Sequence, residues 1–430
     1  MNRKKVAVGL SGGVDSAVSA LLLKKAGFDV VGVHLYCWPP KSEIEKEGMS
    51  KDPANSYAVR RAGWMRKNGC RADEDRAAAL KTALELSIPF KVLDFSEEYN
   101  ERVISYFYSE YEKGRTPNPD VLCNSEIKFG LFLDWALENG FDYVATGHYA
   151  KKSYDGSGLP PVSLLENGNL SKIENGLWPA CRLFIPKDKH KDQTYFLWKL
   201  TQKELAHVLF PLGDYLKSEV REMAREAGLS VAERKDSQGI CFVGSVDVKE
   251  FLARRLKDMP GKVVNINGEV VGSHDGVWHY TIGERGGWQI DPEAQNRMMK
   301  AGKTPILYVI KKDVERNELV VGEADEAEEN SFEVRGINWI TDLTPDPRAL
   351  PAGRQGYSLK VRIRHGGELV RARVVQNNGE GREMDSLVDD GIYKNKMTIV
   401  LEKAVRGIAS GQSAVYYTED GECVGGGVID

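Results

Sequence analysis

The segment that most constrains this chain is KVAVGLSGGVDSAVSALLLKKAG, residues 5–27. Alternating apolar residues at its start predict a short buried strand, and apolar residues at helical spacing then predict a helix that ends near Gly27. The loop SGGVDS, residues 11–16, joins the two. Adjacent glycines allow positive φ and leave backbone N–H groups uncovered. Because a helix N-terminus also favours negative charge, the segment predicts an anion site.

This loop differs from the two common phosphate-binding patterns. No lysine follows its glycines, as G-x-x-x-x-G-K-[ST] requires, and the spacing does not fit G-x-G-x-x-G. Instead, S-G-G-x-D-S after an apolar strand resembles the pyrophosphate loop (PP-loop) of the ATP pyrophosphatases. Those enzymes split ATP between its α and β phosphates and adenylate a substrate oxygen. An ordinary glycine turn in an α/β protein is the alternative interpretation.

Composition limits the class of protein. The 430 residues predict two or three domains, and a net charge of −4 argues against a broadly basic nucleic-acid coat but not against a local basic stripe. Six cysteines without a C-x-x-C pair predict neither a disulfide framework nor a structural zinc site. No apolar run approaches the ~20 residues of a membrane span. The N-terminus lacks the order of a signal peptide, so we expect a cytoplasmic protein.

The order of predicted elements indicates an α/β fold with further β domains. Strands near 29–33, 90–95 and 142–145 alternate with helices, which predicts a doubly wound parallel sheet. A tight hairpin around Asn267-Gly268 opens a small central domain, and short strands after residue 331 predict a C-terminal antiparallel β-barrel. We place the domains at 1–235, 236–328 and 329–430. An excursion at 41–72 and a long surface hairpin at 151–180 interrupt the first domain.

A proline-stiffened loop carries polar groups and a thiol. In GRTPNPDVLCNSEIKFG, residues 114–130, two prolines flank Asn118 and deny it a helix. Asp120 and Cys123 follow closely, as a reactive site on a rigid loop requires. A stiffened connector with a buried cysteine fits the composition equally well. Cys241, in RKDSQGICFVG, has by itself the surroundings of a core residue.

Basic residues alternate along two predicted barrel strands. Lys360, Arg362 and Arg364 share one strand face, and Arg371 and Arg373 share a face of the next strand. The pattern predicts a local basic surface that binds phosphates, with an ordinary solvated face as the alternative.

Taken together, these motifs carry a family resemblance over nearly the whole chain. The chain is similar to the tRNA-specific 2-thiouridylases, because it contains the following motifs in the same order: SGGVDS, TPNPDVLCN, TGHYA, KDQTYFL, DSQGICFV, HDGVWHYTIGER, GQSAVYY and GGGVI. The resemblance implies a PP-loop catalytic domain followed by two tRNA-binding domains. It implies a sulfurtransferase that uses ATP and Mg²⁺ to adenylate the C2 oxygen of the wobble uridine in lysine, glutamate and glutamine tRNAs. A cysteine persulfide would then supply the sulfur of 2-thiouridine.

The resemblance also implies roles for single residues. Cys241 would carry the persulfide, Cys123 would act as the nucleophile and form a disulfide with it, and Asp120 would move protons near the base. ATP would meet Gly9, Leu10, Ser11, Gly12, Gly13, Val14, Asp15, Ser16, Leu35 and Gly147. The tRNA would meet Asn118, Pro119 and Asp120 at the target base, His148, Lys191, Asp192 and Gln193 beside it, and Arg364, His365 and Gln412 on the barrel.

The expected partners are the anticodon stem–loop of tRNA and a persulfide donor, either a cysteine desulfurase or a sulfur-relay protein. Two positions depart from the family pattern: Leu35 replaces a frequent methionine and His365 a common tyrosine. Three alternatives stay open. They are another adenylating enzyme of the same loop class, such as a 4-thiouridine synthase or an amide-forming synthetase; an enzyme with an iron–sulfur cluster on Cys123 and Cys241, with or without Asp120 as a third ligand; and a non-catalytic RNA-binding protein.

Overall fold

The computed structural model describes residues 3–47, 57–67, 70–154, 157–158, 180–235, 248–299, 305–341, 343, 356–376 and 396–430. Within these ranges no helix combines the length and apolar character needed to cross a membrane. The first elements along the chain are β1 (Lys5–Gly9), α1 (Val14–Lys25), β2 (Asp29–Tyr36), α2 (Lys41–Glu47), α3 (Tyr57–Lys67), α4 (Ala72–Glu85) and β3 (Phe90–Asp94). Then come α5 (Ser96–Tyr99), α6 (Ser105–Glu112), α7 (Pro119–Leu122), a π-helix (Cys123–Leu131), α8 (Phe132–Glu138) and β4 (Tyr143–Ala145).

A five-stranded parallel sheet forms the first domain. Its order is β3-β2-β1-β4-β8, where β8 is Val208–Leu209. Val6 and Val8 pack with α1 and α4 on one face, whereas Ala7 packs with α8 and the π-helix on the other. Because helices cover both faces, the predicted doubly wound sheet is confirmed. The second strand runs three residues beyond the predicted Val33, since β3 pairs with it up to Tyr36.

The strand order places a crevice at the carboxyl ends of β1 and β4. From β1 the chain first builds β2 and β3 on one side and later returns to add β4 on the other. Open parallel sheets bind ligands where the order reverses in this way. The SGGVDS loop follows β1, and the TGHY turn, residues 146–149, follows β4. Both motifs therefore lie at the same edge of the sheet.

The described strands at the two ends of the predicted hairpin at 151–180 belong to the same sheet as the C-terminal strands. Strand β5 (Lys151–Tyr154) pairs with β6 (Ser157–Gly158) and β7 (Cys181–Phe184), and β7 also pairs with the last strand of the chain. Residues 155–156 and 159–179 lie outside the described residues. Helices α9 (Gln202–His207) and α10 (Lys217–Glu226) complete the first domain.

The central part is a small mixed sheet of order β11-β10-β9-β13-β12. It consists of β9 (Gly261–Val264), β10 (Val270–His274), β11 (Gln289–Ile290), β12 (Tyr308–Asp313) and β13 (Glu318–Gly322), with α11 (Val248–Ala253) and α12 (Pro292–Met298) beside it. The predicted hairpin is confirmed: β9 and β10 are antiparallel, and Gly268 between them has a φ of 80°. Only glycine adopts this conformation readily.

The C-terminal part is a closed six-stranded barrel, as predicted. Its strands are β14 (Glu328–Trp339), β15 (Gly356–Arg362), β16 (Val370–Gln376), β17 (Lys396–Arg406), β18 (Ser413–Tyr417) and β19 (Glu422–Ile429). Antiparallel pairing of β14 with β19 closes it. The glycine-rich β19 has no β-forming pattern, but close packing explains its composition. A Cβ at Gly425 would lie 2.2 Å from the Asn338 carbonyl oxygen, and one at Gly426 would lie 2.9 Å from the Trp198 ring.

Candidate active site

The glycine loop begins α1 without a side-chain cap. Gly13 is the N-cap residue, and Gly12 before it has a φ of 80°. Ser16 holds the loop closed, because its hydroxyl donates to the Gly13 carbonyl oxygen (3.1 Å) and accepts from the Ser11 N–H (3.2 Å). The N–H groups of the first helical turn thus have no side-chain cap, and the anion site at this helix N-terminus stays a prediction.

Close packing fixes this loop from two sides. A Cβ at Gly12 would lie 2.4 Å from the Asp75 carbonyl oxygen, and one at Gly147 would lie 2.7 Å from the Ser16 nitrogen. Both distances are shorter than real Cβ contacts allow, so each position requires glycine. Gly147 therefore brings the TGHY turn directly against the N-terminus of α1.

Two cationic side chains at the loop were not predicted from the sequence. The Lys217 ammonium donates to both carboxylate oxygens of Asp15 at 2.7 Å, and the Tyr149 hydroxyl donates to the same carboxylate at 2.9 Å. Arg234 donates to the Gly12 carbonyl oxygen at 2.6 Å and pairs with Asp75. These positions are about 200 residues from the loop, so no local spacing could reveal them. Their charges and the free helix N-terminus fit a polyphosphate.

The two leucines assigned to the nucleotide have different places. Leu10 is 1% exposed and packs against Gly32, where a Cβ would lie 2.5 Å from it. Its backbone N–H donates to Val33, and its carbonyl oxygen lies 2.9 Å from His34 Nδ1. Leu10 thus shapes the loop from within the core. Leu35 is buried near the carboxyl end of β2, the edge at which ligands bind.

The loop with Cys123 has a defined local structure. Asn118 caps α7: its side-chain oxygen accepts from the N–H groups of Asp120 (3.2 Å) and Val121 (3.4 Å), and Pro119 occupies the first helical turn. Cys123 is fully buried where α7 continues into the π-helix. Asn118, Pro119 and Asp120 are half-buried. A π-helical segment is frequent at functional sites.

The second predicted cysteine, Cys241, lies in residues 236–247, outside the described residues. Its pairing with Cys123 and the assigned persulfide role stay predictions. Among the described residues, no group of three or more His, Cys, Asp or Glu side chains has the arrangement of a metal site.

Two residues assigned to tRNA hold the turn after β4. His148 is buried between Phe129 and Phe210, with ring centroids 5.8 and 6.3 Å away, and its Nδ1 lies 2.7 Å from the Thr146 hydroxyl. Burial lowers the pKa of His148 well below its usual value, so the ring is neutral. The Gln193 side-chain oxygen accepts from the Tyr149 N–H at 2.8 Å. Both side chains therefore stabilise the turn that contacts α1.

The predicted basic face is wrong in part, because Arg362 is buried. Its guanidinium donates to Asp192 at 2.6 Å, and the other carboxylate oxygen of Asp192 accepts from the Thr194 N–H and hydroxyl. Asp192 is 3% exposed, so its side chain joins the barrel to the segment around Thr194. Lys360 and Arg371 both pair with Glu419, at 2.8 and 3.0 Å.

The remaining residues assigned to tRNA lie near this junction. Lys191 is half-buried in the short turn Lys189–Lys191. Arg364 and His365 are exposed on the loop after β15, and the His365 ring lies 4.5 Å from the Phe196 ring between centroids. His365 Nε2 also lies 3.1 Å from the Asp192 carbonyl oxygen. Gln412 donates to the carbonyl oxygens of Thr116 (2.9 Å) and Pro117 (3.4 Å), just before Asn118.

Family models match three stretches of the chain. Their descriptions are a tRNA methyl transferase HUP domain over residues 4–245, a tRNA methyl transferase PRC-barrel domain over 249–323 and an aminomethyltransferase beta-barrel domain over 390–429.

Curated relatives match along the full length. The tRNA-specific 2-thiouridylase MnmA of Streptococcus mutans is 37% identical over 432 residues, covering 100% of this chain and 96% of the relative. The enzyme of that name from Streptococcus agalactiae serotype III is 36% identical over 429 residues, covering 99% and 95%. A solved NMN synthetase from Francisella tularensis is 14% identical and covers 58% of this chain and 71% of its own, with a TM-score of 0.29. The extent and identity of the full-length matches show that the chain belongs to the tRNA-specific 2-thiouridylase family.

Proposed function

We propose that this protein converts the wobble uridine of tRNA into 2-thiouridine, with ATP as the activating substrate. One observation carries the proposal: the TGHY turn joins a nucleotide loop to the helix of a buried thiol. Gly147 of this turn packs against the N-terminus of α1, and the neighbouring His148 packs against Phe129 of the π-helix that starts at Cys123. The loop proposed to bind phosphates and the thiol proposed as the nucleophile therefore lie on adjoining elements.

The first step activates the uracil C2 oxygen, which is otherwise a poor leaving group. The oxygen attacks the α-phosphorus of ATP, pyrophosphate leaves, and the base is adenylated. The N-terminus of α1, Lys217 and Arg234 offset the negative charge of the phosphates at this loop. Mg²⁺ would be held by those phosphates, because Lys217 and Tyr149 already donate to the Asp15 carboxylate, and it would supply further positive charge there.

The second step replaces the activated oxygen by sulfur. The outer sulfur of a persulfide on Cys241 attacks C2, and AMP leaves with the former C2 oxygen. The Cys123 thiolate then attacks the inner sulfur, so that a Cys123–Cys241 disulfide forms and the transferred sulfur stays on the base. Asp120, three residues before Cys123, would accept a proton near the base. A thiol reductant restores both cysteines, and a cysteine desulfurase or relay protein supplies the next sulfur.

The site favours thiolation over the methyl transfer named in two of the family descriptions. Methyl transfer from a sulfonium donor requires no phosphate-binding loop. In this chain the anion site at the N-terminus of α1 is rigidly built, and Gly12 and Gly147 tolerate no side chain.

Mass analysis of the modified nucleosides tests the proposal. Unmodified glutamate tRNA would be incubated with the protein, ATP, Mg²⁺ and a persulfide donor, in parallel with Cys123→Ser and Cys241→Ser variants. We expect 2-thiouridine at the wobble position with the unaltered protein and none with either variant. Cys70→Ser is the matched control, because Cys70 is a half-buried cysteine outside the motifs, and it should retain activity. A methylated uridine, a 4-thiouridine or an unmodified tRNA with a competent donor would each contradict the proposal.

A further inference from the structure

We propose that Gln412, on the C-terminal barrel, is a positioning residue that holds the base-binding loop in place for Cys123. This inference rests on the proposed function and assigns Gln412 a role other than the tRNA contact expected from the sequence. Its amide nitrogen donates to the carbonyl oxygens of Thr116 and Pro117, at 2.9 and 3.4 Å. These two carbonyl groups directly precede Asn118, so the barrel fixes the backbone on which the base-binding residues stand.

Backbone contacts beside Gln412 strengthen the same junction. The Thr116 N–H donates to the Ser410 carbonyl oxygen at 2.8 Å. Gly411 has a φ of 91°, and a Cβ there would lie 3.0 Å from the Thr116 backbone. The turn at 410–412 and the loop at 116–117 therefore touch along their backbones, more closely than an ordinary Cβ contact allows. Close approach of this kind transmits a shift of the barrel directly to the loop.

The oxygen end of the Gln412 amide faces a protein group as well. The buried Tyr195 hydroxyl lies 3.5 Å from its side-chain oxygen and donates to the Ser413 carbonyl oxygen at 2.9 Å. The Asn118 side chain interacts with this same hydroxyl. Because both polar atoms of Gln412 face protein groups, its amide is suited to hold the loop and not to grip an RNA phosphate.

The held loop leads without a break to the thiol. Asn118 caps α7 through the N–H groups of Asp120 and Val121, and α7 continues into the π-helix at Cys123. A displaced Pro117 carbonyl would thus move the cap, the base-binding residues and the start of the thiol's helix together. Misplacement of reacting groups by about 1 Å lowers a rate by as much as ~100-fold.

The test compares Gln412→Met with Arg364→Gln. Met keeps the length of the side chain but cannot donate to the two carbonyls, whereas Arg364 is an exposed barrel residue on the expected tRNA surface. For Gln412→Met we expect kcat of thiolation to fall roughly tenfold or more, with KM for tRNA nearly unchanged. Hydrogen exchange at the Thr116, Asp120 and Val121 amides should also become faster. For Arg364→Gln we expect a raised KM, with kcat and exchange unaltered.

The opposite pattern would overturn the inference. In that pattern Gln412→Met raises KM for tRNA, while its kcat and its amide exchange equal those of the unaltered protein. Unchanged kcat, KM and exchange would overturn it as well. If Gln412→Met does not fold, Gln412→Asn serves instead, because its shorter amide cannot reach both carbonyls. Hydrogen exchange needs no substrate, so it reports on the junction even if the unaltered protein does not thiolate tRNA. The exchange measurement therefore distinguishes a failure of this inference from a failure of the proposed function.

Discussion

Gly12→Ala adds only one methyl group, but we expect it to disable the nucleotide loop. Gly12 has a φ of 80°, a conformation that costs an L-residue about 1–2 kcal/mol. The added Cβ would also lie 2.4 Å from the Asp75 carbonyl oxygen, whereas ordinary contact begins at 3.4 Å. The loop must therefore move by about 1 Å, and a displacement of that size at a reaction centre lowers rates by up to ~100-fold.

Gly27→Ala is the matched control for this substitution. Gly27 has a φ of 86° at the end of α1, and a Cβ there meets nothing within 4 Å. It therefore carries the conformational strain alone. We expect both variants to lower the thermal midpoint by a few degrees, since ~1 kcal/mol shifts it by about 2–4 °C in a domain of this size. Only Gly12→Ala should also lose the ATP-dependent reaction.

The assay is tRNA-dependent release of AMP and pyrophosphate, measured beside a thermal melt for each variant. The reasoning predicts a rate at least about tenfold lower for Gly12→Ala than for Gly27→Ala at saturating ATP. Equal rates in the two variants would refute it, because the contact with Asp75 would then have no consequence for the loop.

Three further substitutions give separate tests. Lys217→Met should raise KM for ATP, because it removes the ammonium group that lies 2.7 Å from both Asp15 oxygens, next to the proposed phosphate site. An unchanged KM for ATP would contradict this. Arg362→Met leaves the buried Asp192 carboxylate without its cation and should lower the free energy of unfolding by about 3–5 kcal/mol in denaturant melts; a change below ~1 kcal/mol contradicts this. Burial lowers the pKa of Lys152 from 10.5 to about 8, so above that pH the unfolded chain binds more protons. The thermal midpoint of the unaltered protein, relative to Lys152→Met, should therefore rise from pH 8 to about pH 10, and a flat difference contradicts this.

The parallel sheet and its glycine loop were predictable because their signals are local. Strand β1, the loop and α1 are adjacent in the chain, and apolar spacing together with glycine chemistry defines each of them. For the same reason, local alternation predicts five of the barrel strands, near residues 332–334, 358–363, 370–375, 398–401 and 413–417. The sixth, β19, was not predictable, because its glycines are required by close contact with Asn338 and Trp198, which are distant in sequence.

The partners within the site could not be predicted from local patterns. Alternation placed Arg362 on an exposed basic face, but the segment around Asp192 covers Arg362 and buries the ion pair. Lys217 and Arg234 reach the loop only through the fold. The resemblance to the family pointed to Gln412 as a site residue. Only the structure shows which groups its amide contacts. Tertiary contacts determine these roles, and such contacts produce no periodic pattern in the sequence.

The fate of the uracil C2 oxygen tests the central claim most directly. A tRNA whose wobble uridine carries a heavy oxygen isotope at C2 would be thiolated by the protein with unlabelled ATP and a persulfide donor. If the base is activated by adenylation, the heavy isotope will appear in the phosphate group of AMP. Heavy isotope in pyrophosphate or in water, with AMP unlabelled, would contradict activation of the C2 oxygen at the SGGVDS loop.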